Sequence, residues 1–303
     1  MSGIMLNFAG VSAASVPGAP TIGTATATSA TTATVAYTAP ANNGGSVITS
    51  YTATSSPSGI TGTLSQAGSG TITVSGLSAV TSYTFTVTAT NAIGTSAASA
   101  ASNSITTLPV IGQAFGGGFF AGQISTAGNS IADYNLVVGP VASAQTSNVE
   151  WKTSTTTTAG TSSVIDGPAN SSAMNNASHP AAQFCEGRTI GGFSDWYSPA
   201  KNELEVCYYN LKATTTSNQT GVSGINANAV PARASTYTAG DPAQTSATVF
   251  KSGGAEAFDT QYFWSSSENN STRGWAQFFD TGNQNGITKN YAYRVRAIRR
   301  VAV

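Results

Sequence analysis

Thiols and an imidazole are the groups of this chain best suited to catalysis or metal binding, and they are few. The 303-residue sequence has two cysteines, Cys185 and Cys207, and one histidine, His179. No C-x-x-C pair occurs, so neither a zinc ribbon nor a redox motif is indicated. His179 has no cysteine or acid at ligand spacing and is predicted to lie where a helix begins. The sequence therefore predicts no metal site and no cofactor. It leaves open whether the cysteines form a disulfide or are two buried thiols.

The carboxylates of the chain do not provide a catalytic pair either. Glu203 and Glu205 lie two positions apart in a helical pattern, so at most one could face a cleft. No pair of acids suited to retaining or inverting glycoside hydrolysis can be assigned. The sequence therefore favours a protein that is not an enzyme.

Four arginines lie close together near the end of the sequence: Arg294, Arg296, Arg299 and Arg300. A basic patch is one interpretation. Ion pairs are favoured, because a partly buried arginine needs a carboxylate. The acids available for them are Asp195, Glu203 and Glu268.

The segment 263–286, FWSSSENNSTRGWAQFFDTGNQNG, alternates large aromatics with short polar residues. Trp264 and Trp275, like Trp196, are predicted to be core anchors, with contact to a sugar or protein as the alternative. Rigid aromatics supply contact area at low entropic cost, and short amides supply hydrogen bonds. The polar residues of the segment are therefore predicted to form an exposed recognition face.

Two helices are predicted upstream of this segment. The first is 179–186, with Pro180 early. The second is 198–211, with Ser198 as its cap and Pro199 in the first helical position. Its apolar residues recur at positions i, i+3, i+4 and i+7, which places Cys207 toward the core. Residues 212–254 are polar, rich in turns and predicted to be long loops.

The first third of the chain has a different composition. Residues 1–132 contain no Asp, Glu, Lys, Arg or His, and all twelve acids and twelve bases follow. Short segments alternate apolar and hydroxyl residues and are separated by turns, which predicts an antiparallel β-sandwich. An uncharged surface resists association less than a charged one, so we expect this part to sit in an assembly, to work at high ionic strength, or both. Drift of a Thr/Ser-rich β-domain is the alternative. The zero net charge gives no reason to expect nucleic-acid binding, and no run is long enough to insert into a membrane.

This β-rich part resembles a fibronectin type III domain. The residues that carry the resemblance are PGAPTIGTAT, VAYTAPANNGGSVITSYTATSSP and VSGLSAVTSYTFTVTATNAIGTSAASAAS. Tyr51 falls where that family keeps an aromatic, Tyr37 replaces the usual early tryptophan, and Leu77 with Tyr83 fits the family's tyrosine corner. The predicted organisation is an N-terminal arm at 1–16 and a fibronectin type III-like all-β sandwich at 17–108, a spacer or binding module.

The remainder, 109–303, resembles the DUF1566 family, which is related to the C-type lectin fold and to the formylglycine-generating-enzyme fold. The motifs are GGFSDWYSPAKNEL, YFWSSSE, GWAQFF and YRVRAIRRV, in that order. Tyr197 and Ser198 replace the family's Arg-Leu, Ala200 replaces its cap residue, and Ala297 replaces a cysteine. The resemblance implies an α+β C-type-lectin-like domain. The calcium motifs of lectins, E-P-N or Q-P-D followed by W-N-D, do not occur.

Together the two resemblances are typical of virion appendage proteins of marine tailed phages. They imply a non-enzymatic tail fibre or surface appendage on the virion surface, a homo-oligomer such as a trimer, that binds a host-surface glycan or protein. The arm and the fibronectin-like domain would contact other virion proteins. The alternatives are a capsid-decorating or assembly protein without receptor binding, and an enzyme of the formylglycine-generating fold. The predicted ligand-binding residues are Ser267, Glu268, Asn269, Asn270, Arg273, Gln277, Asp280, Asn283, Gln284, Asn285, Asn290 and Tyr291.

Overall fold

A computed structural model describes residues 13–303, and most of the predicted N-terminal arm lies outside the described residues. The chain divides into two units, the first ending at Val110 and the second beginning at Ile111. Within the described range, no helix is both long and apolar enough to cross a lipid bilayer.

The first unit is a sandwich of two antiparallel sheets. Its strands are β1 Thr21–Ala27, β2 Thr32–Thr38, β3 Ile48–Ser56, β4 Thr61–Leu64, β5 Gly70–Ser75, β6 Ser82–Asn91 and β7 Ile105–Thr106. One sheet has the order β1-β2-β5 and the other β4-β3-β6-β7. Burial alternates along β2 and β6, so one face of each sheet covers the core, as the period-two pattern predicts.

Tyrosines organise the core of this sandwich. The rings of Tyr37 and Tyr51 are buried with their centroids 4.3 Å apart. The hydroxyl of Tyr83 accepts a 3.0 Å bond from the backbone N–H of Ser78. That bond is the tyrosine corner expected from Leu77 and Tyr83, and it ties the start of β6 to the turn before it.

A segment in which every third residue is serine covers the outer edge of β6. Each serine donates its backbone N–H to a β6 carbonyl and accepts, through Oγ, the N–H of the same β6 residue. The pairs are Ser96 with Ala89, Ser99 with Val87, and Ser102 with Phe85. All six bonds measure 2.8–3.0 Å. Serine hydroxyls thus replace part of a strand ladder.

The second unit is mostly β with short helices. Its strands are β8 Ala114–Phe115, β9 Gly118–Ile124, β10 Tyr134–Val138, β11 Gln145–Glu150, β12 Ala229–Val230, β13 Tyr262–Asn270, β14 Arg273–Phe278, β15 Gln284–Thr288, β16 Ala292–Arg296 and β17 Ile298–Ala302. Its α-helices are α1 Val141–Ala144, α2 Gly167–Ala173, α3 Pro180–Glu186 and α4 Lys201–Leu211, with a 3-10 turn at Thr248–Phe250.

These strands form two sheets. One has the order β12-β9-β10-β17, with β8 also paired to β9, and the other the order β11-β16-β13-β14-β15. The β13–β16 pair is parallel and the other pairs are antiparallel. The second sheet carries the whole predicted recognition segment.

Helix α4 packs its predicted apolar stripe into the core of this unit. Leu204, Cys207, Tyr208 and Leu211 are all buried, as the spacing predicts. The helix approaches β9 closely at Gly122, where a Cβ would lie 2.4 Å from the side-chain nitrogen of Asn210. Glycine is therefore required at that point of the strand.

The predicted start of α4 is wrong. The helix begins at Lys201, and its N-terminal backbone is satisfied by Glu203, whose Oε2 accepts the Ala200 N–H at 2.8 Å. Ser198 is buried instead, and its own N–H donates to Ser171 Oγ. Pro199 precedes the helix, and its carbonyl accepts the N–H of Ser266. Helix α3 begins after His179, as predicted.

Candidate functional site

The predicted recognition face is only partly exposed. Ser267 and Gln277 are buried, so the prediction that they lie on the exposed face is wrong. Ser267 Oγ donates to Ser163 O and accepts the backbone N–H of Lys201, whereas Gln277 Nε2 donates to Gly282 O. Both side chains satisfy backbone groups inside the unit, which is the usual role of a buried polar residue.

Glu268 also turns inward, contrary to prediction. Its Oε1 accepts a 2.7 Å bond from Lys289 Nζ, a side chain with no solvent exposure. Lys289 also donates to the carbonyls of Thr156 and Ser271. Burial raises the pKa of Glu268, but bonds from Lys289 and from Thr158 and Thr161 outweigh it, and the pKa is lowered overall. This pair fastens the β13–β14 hairpin to the loop at 153–161.

Four of the predicted residues are exposed, and they lie at one end of the sheet. Asn270 and Arg273 flank the β13–β14 turn, while Asn290 and Tyr291 follow β15. The two turns are neighbours, because Arg273 is paired with Thr288. Asn270 Oδ1 accepts from the backbone N–H groups of Thr272 and Arg273, so this side chain shapes the turn.

The other five predicted residues are half-buried: Asn269, Asp280, Asn283, Gln284 and Asn285. Asn269 lies against Gly286, where a Cβ would come within 2.5 Å of its oxygen. Asp280 accepts from Thr214 Oγ1, and Asn285 donates to the Tyr262 hydroxyl. Of the twelve predicted residues, only Gln284 lines a groove next to an aromatic ring.

That groove has Trp275 as its aromatic surface. It encloses about 170 Å³ and is lined by Lys201, Val222, Ser223, Gly224, Ile225, Thr236, Trp275 and Gln284. Trp275 is half-buried, whereas Trp196 and Trp264 are buried core anchors as predicted. The groove is smaller than the roughly 300–1,000 Å³ of drug-sized ligand sites. Its size suits a single sugar ring or one side chain of a partner.

Apolar residues of the 212–254 region form one wall of the groove. Val222 and Ile225 are 57% and 59% exposed. The backbone between them is fixed: Ser223 O accepts the Tyr237 N–H at 2.7 Å, and Ser223 Oγ accepts the Gln284 N–H at 2.9 Å. The wall therefore presents apolar surface to solvent from an anchored loop.

Glu205, a buried residue of helix α4, holds the loop of this wall in place. Its carboxylate is buried, pairs with Arg233 and accepts bonds from the Tyr237 hydroxyl and from Asn226 Nδ2. Asn226 also donates to Asn202 O at 2.9 Å. A buried carboxylate with several donors holds its partners in one arrangement. The loop thus takes its shape from helix α4.

Lys201 places an ammonium group at the groove. Its Nζ lies 4.9 Å from the centroid of the Trp275 ring, a cation–π distance. Its backbone is held on both sides, since its N–H donates to Ser267 Oγ and its carbonyl accepts from Gln284 Nε2 at 3.0 Å. Burial lowers the pKa of Lys201, and the charge of Glu205 opposes that shift. In residues 13–303 no oxygen accepts a hydrogen bond from this ammonium.

A larger cavity of about 670 Å³ lies beside Arg300, with Tyr134, Asp166 and Ser163 among its lining residues. Its charged groups are already engaged: Arg300 Nε donates to Glu203 at 2.7 Å, and Asp166 accepts the Ala169 N–H at the start of α2. The smaller groove is the better candidate site because, among residues 13–303, no carboxylate forms an ion pair with its cation, Lys201.

The C-terminal arginines form ion pairs, as favoured from the sequence. The pairs are Arg294 with Asp259, Arg296 with Glu256, Arg299 with Asp195, and Arg300 with Glu203. Asp195 and Glu203 were predicted as partners and Glu268 was predicted wrongly. Asp259 and Glu256 lie in the loop before β13, where sequence spacing gives no sign of the pairing.

The cysteines are not bridged. Cys185 and Cys207 are buried free thiols that belong to different core clusters, so the disulfide left open by the sequence does not form. Burial raises the pKa of both thiols well above its ordinary value. In the described part of the chain, no cluster of three or more His, Cys, Asp or Glu side chains could hold a metal ion.

Sequence reasoning missed most of the groove. The sequence patterns place Lys201 only in a helix, and Val222, Ser223 and Ile225 only in loops. The signal in the sequence is the apolar pair Val222 and Ile225 inside a polar loop, because neighbouring exposed apolar side chains can mark an interaction site, whereas single ones do not. Their proximity to Trp275 depends on contacts across fifty or more positions, which spacing cannot show.

Comparison with known families identifies the first unit. Residues 18–105 match the family model of the fibronectin type III domain. The chain therefore contains a fibronectin type III domain at its N-terminal side, an all-β sandwich as expected. No curated protein matches the chain.

Several solved structures resemble part of the chain. The structure of titin kinase and its flanking domains is 30% identical, with a TM-score of 0.27, and the match covers 31% of this chain and 18% of that one. A crystal structure of titin domains is 31% identical, with a TM-score of 0.28 and coverage of 32% and 34%. The twitchin kinase region from C. elegans is 21% identical, with a TM-score of 0.26 and coverage of 31% and 17%. The match thus spans between 17% and 34% of the length of each of these structures.

Proposed function

We propose that this protein is a non-enzymatic recognition protein of a tailed-phage virion, a tail fibre or surface appendage. Its fibronectin type III domain serves as spacer or attachment module, and its C-terminal unit, lectin-like by resemblance, binds a glycan on the host surface. The observation that carries the proposal is the half-exposed Trp275, set between an aliphatic wall and polar side chains. An aromatic face packs well on the C–H face of a sugar, and nearby amides and hydroxyls suit sugar hydroxyls.

The buried thiols support this proposal over an enzyme of the formylglycine-generating fold. A reactive cysteine needs access and a stabilised thiolate, whereas Cys185 and Cys207 have neither. Burial of Glu203 and Glu205 likewise leaves no carboxylate from α4 facing a cleft.

A point variant tests the proposal better than deletion of residues 263–291, because that deletion would remove Phe263 and Trp264 from the core. Trp275→Ala should abolish binding to bacterial surface polysaccharides that the wild-type protein binds. Ile131→Ala is the control, since this apolar side chain is 68% exposed and does not line the groove, and it should keep binding. The proposal is overturned if Trp275→Ala binds as well as the wild type, or if the wild type binds no polysaccharide or host cell.

A capsid-decorating or assembly protein is the second candidate. The observation that favours it is the absence of acidic and basic residues from positions 1–132, a surface suited to packing against other proteins. Immunogold electron microscopy of particles separates the candidates. Label at the tail tip favours the adhesin, and label distributed over the head favours decoration.

A further inference from the structure

We infer that the Trp275 groove selects an acidic saccharide, one whose ring carries a carboxylate. This inference rests on the proposed function and names the ligand class. It begins from the Lys201 ammonium, which lies 4.9 Å from the Trp275 ring centroid and has no acceptor oxygen or ion-pair partner within residues 13–303.

Most buried or half-buried cations of this unit bind carboxylates or carbonyl oxygens: Lys289 binds Glu268, Lys212 binds Thr216 O and Asn218 Oδ1, and Arg233 binds Glu205. Half-buried Lys251 also has no side-chain partner among residues 13–303, but Lys201 differs from it in lining a groove beside an aromatic ring. Partial removal of a cation from water has a cost unless an anion or another acceptor replaces the water. A ligand carboxylate would supply that acceptor at the groove.

The groove has a positively charged group, an aromatic surface and polar side chains, and together these match the groups of one acidic sugar ring. Lys201 would bind the carboxylate, and the Trp275 face would pack on the ring carbons. Gln284 donates its amide nitrogen to Lys201 O, which leaves its side-chain oxygen free to accept from a sugar hydroxyl. Thr236 lines the same groove, and its hydroxyl suits a further sugar hydroxyl. The Ser223 hydroxyl already accepts the Gln284 N–H.

The groove has one positively charged side chain, which suits a sugar ring that carries one anionic group. Lys201 is the only cation that lines the groove. Arg233, in the loop that forms the groove wall, is paired with Glu205 and stacks on the Tyr209 ring at 4.0 Å. A polyphosphate or nucleic acid would need several cations. One ammonium beside one aromatic face suits a monoanionic sugar such as a hexuronic acid.

Intrinsic fluorescence gives a direct binding assay. The other three tryptophans, Trp151, Trp196 and Trp264, are almost completely buried, so a ligand in the groove changes mainly the emission of Trp275. The full chain is titrated with a hexuronic-acid oligosaccharide and with the same oligosaccharide after carboxyl reduction, which differs only in the missing charge.

We expect the wild type to bind the acid form about tenfold more tightly than the reduced form, the worth of one charge-assisted hydrogen bond. Lys201→Met keeps the apolar stem of the side chain and should lose this preference. Trp275→Ala should bind neither. The preference should also shrink as salt is raised.

Two results overturn the inference: equal binding of the two forms by the wild type, or an unchanged preference in Lys201→Met. Either leaves the proposed function standing if the Trp275-dependent binding remains. The inference is also overturned if the wild type binds neither the acid form nor the reduced form. In that case the polysaccharide and host-cell binding measurements described above decide the proposed function separately. Equal melting temperatures of wild type and Lys201→Met show that the variant is folded.

Discussion

Arg300 and Glu203 join the last strand of the chain to helix α4 inside the second unit. Arg300 Nε donates to Glu203 Oε1 at 2.7 Å, and the carboxylate has no solvent exposure. Glu203 also accepts from the Tyr197 hydroxyl and the Ala200 N–H. Burial raises the pKa of Glu203, and Arg300 opposes the increase.

Arg300→Met should therefore be strongly destabilising, because it leaves Glu203 buried without its counter-charge. We expect a loss of about 3–5 kcal/mol in the free energy of unfolding. Arg294→Met is the matched control: its pair with Asp259 is partly exposed on both sides, and its loss should cost less than about 1 kcal/mol. Denaturant unfolding of the two variants measures the difference, and equal losses would contradict the assignment.

His179 should make stability depend on pH. Burial, with Lys152 and Lys289 nearby, lowers its pKa from 6.5 to about 4. Its Nδ1 faces the amide oxygen of Asn176 and its Nε2 faces Thr158 Oγ1, both at 2.9 Å, which suits a neutral ring. Between these two pKa values the unfolded chain binds more protons than the folded one, so stability falls as pH drops from about 6.5 toward 4.

Melting temperatures at pH 5.0–7.5 test this effect. The wild type should lose stability below pH 6.5 in a range where most carboxylates have not begun to titrate. His179→Gln should show a flatter profile over the same range. Parallel profiles for the two proteins would show that His179 does not keep a lowered pKa.

Both thiols should be unreactive toward thiol reagents in the native protein and reactive after unfolding. Cys185 and Cys207 have no solvent exposure, and burial disfavours the thiolate that reacts. A thiol reagent at pH 8 should label almost none of the folded protein and two groups per chain in denaturant without reductant. Absence of labelling in denaturant would instead show a disulfide.

The serine segment along β6 should contribute measurable stability. Ser99→Ala removes the hydroxyl that accepts the Val87 N–H at 2.9 Å and leaves a partly buried donor unsatisfied. We expect a loss of about 1–3 kcal/mol in the free energy of unfolding. Ser65→Ala, at an exposed serine, should change stability by less than about 0.5 kcal/mol. A similar small effect at Ser99 would mean that water replaces the hydroxyl.

Local patterns predicted much of the secondary structure. Alternation in SYTFTVTATN corresponds to β6, and the i, i+3, i+4, i+7 stripe places Cys207 in the core, because both patterns indicate which face meets apolar surface. The start of α4 was missed because Glu203, three positions inside the helix, satisfies its first backbone groups in place of Ser198.

The candidate site was predicted less well, for a different reason. Short polar residues in FWSSSENNSTRGW suit an exposed face and also suit satisfaction of buried backbone, and Ser267 does the second. Gln284 and Trp275 fall in the predicted segment, but Lys201 and Ile225 reach them from α4 and from a loop. Only the three-dimensional arrangement unites these four side chains.

The Ser96, Ser99 and Ser102 pairing has a consequence for how this protein can be concentrated. Natural sheets commonly use edge lysines to discourage intermolecular strand pairing, and residues 1–132 contain none. Along this margin the serines already occupy the amides and carbonyls that a neighbouring chain would need. Many copies could therefore be crowded side by side without charge repulsion and without fusing through this margin into a continuous sheet.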